Sequence, residues 1–125
     1  MIAHVTVRGA GTAIAPPLGW SLIRRDNTTN SIGVALYYKV VSASEPSGYN
    51  WIFNVSQQAA GGIVAYAGVD NTTPVDASIA QYNDATSAIV VPSLTTTAPN
   101  ARLVFFAAVT TGTSVTPPSG MSQQW

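Results

Sequence analysis

The amino-acid sequence predicts an all-β protein: an antiparallel β-sandwich of jelly-roll type with about eight short strands. Three observations predict it. Apolar residues recur at every second position in several runs, which places them on one face of a strand. Gly, Pro, Asn and Asp clusters interrupt those runs about every 10 to 15 residues, the punctuation of sandwiches and jelly rolls. No segment joins a 3.6-residue apolar repeat to capping residues, and the nearest, Ala77 to Ala85, reads as a turn or loop.

The first strand runs from Met1 to Val7 and the second from Trp20 to Arg25. The third, Ile32 to Val40, has the clearest alternation. Ile32, Val34, Leu36, Tyr38 and Val40 share one face, predicted to be the core face, while Gly33, Ala35, Tyr37 and Lys39 share the other. Tyr49, Trp51, Phe53 and Val55 alternate in the same way over residues 49 to 55, and Trp51 shares the core parity of Phe53. Ala60 to Val69 is a further run, weakened by Gly61, Gly62 and Gly68. Ser87 to Val91 is a short candidate. Arg102 to Val109 is almost continuously apolar, as a central strand is. The connecting turns are Gly9 to Thr12, Pro16 to Gly19, Asp26 to Asn30, Glu45 to Gly48 and Pro117 to Gly120.

Two of these turns match one another. Gly11-Thr12-x-x-x-Pro16-Pro17-x-Gly19 recurs as Gly112-Thr113-x-x-x-Pro117-Pro118-x-Gly120 at a constant offset of 101 residues. Ile14 and Val115 fall at the same place within the two copies. The match predicts structurally equivalent connections in a pseudo-symmetric fold. The first copy runs on into a strand through Arg25, whereas the second is followed by five residues. The expectation is one domain over residues 1–125 that is a piece of a longer one, or that borrows a strand from a neighbour.

Composition bounds the function. Apolar residues make up 46%, enough for a core, yet only 8% are charged and the net charge is zero, against about 25% charged in ordinary soluble domains. Nucleic acid and anionic membranes find no basic patch here. No apolar stretch reaches the about 18 residues of a membrane helix. The skin is made of Thr, Ser, Asn and Gln, and a near-neutral chain resists self-association weakly. Both features favour life in an assembly. There is no cysteine, which excludes disulfides and thiolate chemistry.

The run Pro16-Pro17-Leu18-Gly19-Trp20-Ser21-Leu22-Ile23-Arg24-Arg25, the strand Val34 to Val40, and then Ala43-Ser44-Glu45-Pro46 and Tyr49-Asn50-Trp51-Ile52-Phe53 form an ordered series. It continues through Gly61 to Asp70 and Pro74-Val75-Asp76-Ala77. The series resembles a β-sandwich module of large bacterial secreted and cell-surface proteins and of some phage structural proteins. The resemblance covers most of the chain. It implies architecture and place, extracellular, at a cell surface or on a virion, and implies no chemistry.

Catalysis needs convergent titratable groups. His4 is the sole histidine, placed by its strand at a surface or sheet edge, and no Gly-x-Ser-x-Gly turn accompanies it. The carboxylates are Asp26, Glu45, Asp70, Asp76 and Asp84. Asp70 and Asp76 bracket one loop and are the candidates for a Ca²⁺ site. The competing and favoured reading has Asp70 bonding its own turn backbone, and no cofactor. Arg24 and Arg25 point to opposite faces, one predicted to pair with Asp26 or Glu45. Aromatic side chains are the remaining lead. Trp20, Tyr37 beside Lys39, and Tyr66 are the candidate partner or ligand contacts, offering stacking faces to a sugar if exposed and core if not. The sequence thus predicts no enzyme, but a structural or assembly module whose partners are its own copies or neighbouring structural proteins. A carbohydrate-binding adhesion module that grips surface glycans is the alternative.

Overall fold

The computed structural model describes residues 1–124. Among them are six β-strands and no helix: β1 (Ile2–Arg8), β2 (Ile14–Ala15), β3 (Ser21–Asn27), β4 (Ile32–Tyr38), β5 (Ile52–Phe53) and β6 (Ala59–Val64). Four form an antiparallel sheet in the spatial order β3-β4-β1-β6, and β2 pairs with β5 as an antiparallel ribbon. No helix among the described residues is long and apolar enough to cross a membrane.

The register decides which face is core. Ala3 faces Tyr37, Val5 faces Ala35 and Val7 faces Gly33, so these six share a face. Ala3, Val5, Val7, Ala35 and Tyr37 are all buried there. Trp20 joins them, and Ile14, Tyr49, Trp51 and Phe53 pack against the cluster from outside the sheet. This overturns the expected parity of β4. Its core face carries Gly33, Ala35 and Tyr37, while of the expected face only Ile32 is buried, Val34, Leu36 and Tyr38 are half-buried, and Val40 is exposed. The reason is steric. Small residues at 3 and 35 make a flat floor on which large rings lie close to the backbone, Gly33 leaves room on the same face for Arg25, and hydrophobicity by residue weighs aliphatic bulk above that flatness.

His4 is corrected too. It lies on β1, an interior strand, is 8% exposed, and stacks on Phe106 with ring centroids 5.2 Å apart and planes within 11°. Its Nε2 shares a 3.0 Å hydrogen bond with Thr6 Oγ1. The burial comes from residues far down the chain. The predicted strands at 87–91 and 102–109 enter neither sheet. Val104 to Ala108 are half-buried, and Phe106 meets the sheet through its ring. Residues 76–98 double back instead. Asp76 accepts bonds from Thr97 N, Thr97 Oγ1 and Ala98 N. Seven residues inward from Asp76 and from Thr97, Asn83 bonds both the N–H and the C=O of Val90. The two clasps therefore share one antiparallel register.

β3 is irregular. Its register shifts between Leu22 and Arg24, and the two arginines that follow the bulge point to opposite faces with different duties. Arg24 pairs with Asp26 at 2.6 Å, as predicted for one of them. Arg25 donates from Nη2 to the carbonyls of Ala10 (3.1 Å) and Thr12 (2.9 Å), and from Nε to Asn27 Oδ1 (2.7 Å). It thereby ties the β1–β2 loop to the sheet. Gly33 makes room for it, since a Cβ there would stand 2.0 Å from Arg25 Nη2. Gly33→Ala is expected to evict the guanidinium and cost about 1.5–3 kcal/mol, the range for charge-assisted bonds. Urea titration with limited proteolysis checks it, with new cleavage expected between Gly9 and Ala13.

Candidate functional site

The aromatic cluster is placed by a turn. Gly19 has φ +84°, which a side chain disfavours, and Trp20 N donates to Pro17 O at 3.3 Å. The turn delivers Trp20 to the core just ahead of β3. The second copy of the motif folds identically at this level: Gly120 has φ +83° and Met121 N donates to Pro118 O at 3.1 Å. The 101-residue repeat is thus a repeat of turn geometry. Its second copy follows no strand.

Around Trp20 the rings pack edge to face. Its ring centroid lies 5.2 Å from those of Tyr49 and Trp51, and Tyr37 lies 6.2 Å from Trp51. Tyr37 OH donates to Ile14 O at 3.1 Å, joining the sheet to the ribbon. The indole Nε1 atoms of Trp20 and Trp51 are buried with no hydrogen-bond acceptor within the chain's described residues. A charged clamp closes one end. Lys39 Nζ donates to Glu45 Oε2 at 2.6 Å and contacts Tyr49 OH at 3.2 Å. Glu45 also accepts from the Ser42 N–H at 2.6 Å and from Tyr49 OH. Bonded first by Lys39, then by Ser42 and Tyr49, its carboxyl is pulled down to about 2.

The candidate contacts fall out as follows. Trp20 and Tyr37 are 6% and 2% exposed, so they are core and not stacking platforms. Lys39 is spent on the clamp. These three lie together, and Tyr66 lies apart, half-buried under the Arg102 guanidinium 5.2 Å from its ring centre. Asp70 bonds Thr72 N and Thr73 Oγ1, the local turn predicted for it, while Asp76 is occupied by Thr97 and Ala98. Those bonds hold both carboxyls below the usual aspartate range. Among the described residues no three His, Asp or Glu side chains gather as a metal site. Asp26 and Glu45 are ion-paired, Asp84 bonds Tyr82, and His4 is capped by Phe106.

What the sequence did not single out is the edge beside this cluster. β6 pairs with β1 on one side only. Ala59, Ala60, Gly61 and Ile63 are exposed. A groove of about 490 Å³ runs between β6 and the cluster, floored by Ala3 and Val5 and walled by Trp51, Phe53, Gly61 and Ile63. No charged side chain lines it. Gly61 is required by close approach, because a Cβ there would lie 2.7 Å from the carbonyl oxygen of His4. The opposite edge differs in kind: β3 carries Arg24, Arg25, Asp26 and the bulge, devices that discourage strand addition. The one hint in the sequence was a run of small and apolar residues without charge or proline. Comparison with protein-family models, curated proteins and solved structures gives no match.

Proposed function

We propose that this chain is a non-catalytic structural module that works by contact, in an extracellular filament, a bacterial surface protein or a virion. The observation that carries this reading is the β6 edge: open, uncharged, free of proline, and bordered by an apolar groove. Open edges of this kind supply main-chain bonds to an added strand, and grooves beside them supply side-chain specificity. The low charge of the whole chain supports the same reading. In it, the β2–β5 ribbon is the second layer of a jelly-roll-like sandwich.

The test is photo-crosslinking from residue 63 in the full chain within its producing cells or particles. Crosslinks into further copies or structural neighbours are expected, and none from Leu18, which is 98% exposed on the Pro17–Trp20 turn. Equal crosslinking from both positions, or substrate turnover by the purified chain, overturns the reading. Glycan binding lost on Tyr82→Ala favours the adhesion alternative instead, since Tyr82 is 58% exposed.

A further inference from the structure

Resting on that assembly reading, we infer that the partner of β6 is β6 of a second copy, joined antiparallel across a two-fold axis at Gly62. A two-fold interface sets each surface against itself, so it tolerates no unmatched charge near the axis. β3 fails this condition, because it carries Arg24, Arg25 and Asp26. β6, Ala59-Ala60-Gly61-Gly62-Ile63-Val64, meets it throughout.

Register follows from the side chains. Directly opposed residues of an antiparallel pair share a face. Centring on Gly62 sets Ile63 against Gly61 and Val64 against Ala60, so every β-branched residue meets a small one. On the groove face, Ile63 is 40% exposed and lies beside the bare backbone of Gly61. In the pair, each Ile63 drops over the partner's Gly61 and against the apolar wall made there by Trp51 and Phe53. Two grooves become one closed apolar seam, and two four-stranded sheets become one of eight. The zero net charge of the chain puts no long-range repulsion in the way.

Sedimentation velocity over a concentration series, with circular dichroism to confirm folding, tests the pairing through two double variants. Both contain Val64→Lys and so share whatever that change costs the monomer. Ala60→Lys/Val64→Lys opposes like charges across the seam and is expected to weaken dimerisation by roughly tenfold or more. Ala60→Asp/Val64→Lys opposes unlike charges and is expected to stay within about threefold of the unmodified chain. A third variant, Ile63→Lys, is expected to be monomeric, because it drives an ammonium into the seam. An unmodified chain that stays monomeric overturns the inference. So does an equal response of the two double variants. If the chain assembles and none of the three variants disturbs it, another surface makes the contact: the β6 pairing is then wrong while the assembly reading stands.

Discussion

Trp20→Ala is expected to cost about 3–5 kcal/mol, the range for emptying a large aromatic site in a core. The side chain is 6% exposed and lies between Tyr49 and Trp51, each with its ring centroid 5.2 Å away, over the floor of Ala3, Val5 and Ala35. Its loss leaves those rings without their central contact, and the small floor residues cannot swell to fill the space. Tyr49 also ties the cluster to the Lys39–Glu45 clamp, so the damage spreads to the chain leaving β4. Removing the unpaired Trp20 Nε1 ends one desolvation cost of about 1–3 kcal/mol, which holds the expected loss toward the lower half of the range. Leu18→Ala, two residues away on the same turn and 98% exposed, is the control and is expected within about 0.5 kcal/mol. Equilibrium urea unfolding of both variants makes the comparison. A Trp20→Ala chain as stable as the parent would mean that the ring is not core. It would return Trp20 to the role of a surface platform.

That contrast also shows what was legible in the sequence. Period-two alternation located β1, β3 and β4 within a residue or two, because a strand that is buried on one face must alternate; it found the start of β6, but the run read through to Val69 overshoots the strand's end at Val64. It did not locate the buried face of β4. Val34 and Leu36 carry more apolar bulk than Gly33 and Ala35, yet Tyr37 and the two tryptophans need the flat side. The face of a strand is chosen by what packs on it, and the packing partners Trp20, Trp51 and Phe53 come from other elements. The same holds for His4. Only tertiary structure brings Phe106 across a hundred residues to cover it. Arg102 to Val109 reads as a central strand because its continuous apolar run is what double burial demands, but Phe106 answers to the ring beneath it and not to a ladder. Asp70 was legible because its partners lie two and three residues on; Asp76 was not, because its partner lies twenty-one residues away. The β6 edge escaped notice for the opposite reason. Its signal is a lack of charge, and in a chain with 8% charged residues such a lack is ordinary until the topology shows that β6 has only one neighbour.

The buried imidazole sets the pH range in which the fold holds. Burial lowers the His4 pKa from 6.5 to about 4 in the folded chain, and an unfolded chain restores the ordinary value. As pH falls below 6.5 the unfolded state takes up a proton that the folded state refuses, so stability declines with falling pH. The decline runs from about pH 6.5 to about pH 4, below which both states hold the proton and this group adds no further slope. The interval corresponds to a loss of about 3 kcal/mol. No carboxylate offsets it: across the same face of the sheet, Asp26 is already committed to Arg24 on β3, and Arg8 at the end of β1 bonds Gln58. Leu36 and Gly62 flank His4 on the adjacent strands, and Phe106 covers it. Glu45 acts in the neighbouring window. Its pKa is depressed from 4.5 to about 2, so its contribution is whole above 4.5 and is lost as pH falls toward 2. Urea midpoints measured from pH 7.5 down to pH 3 are therefore expected to fall in two stages. His4→Phe, which keeps a flat ring against Phe106 and cannot be protonated, is expected to remove the upper stage and leave the lower one. An unchanged slope between pH 6.5 and 4 in that variant would show that the imidazole is open to water in the folded chain, and with it that residues 104–108 do not cover the sheet.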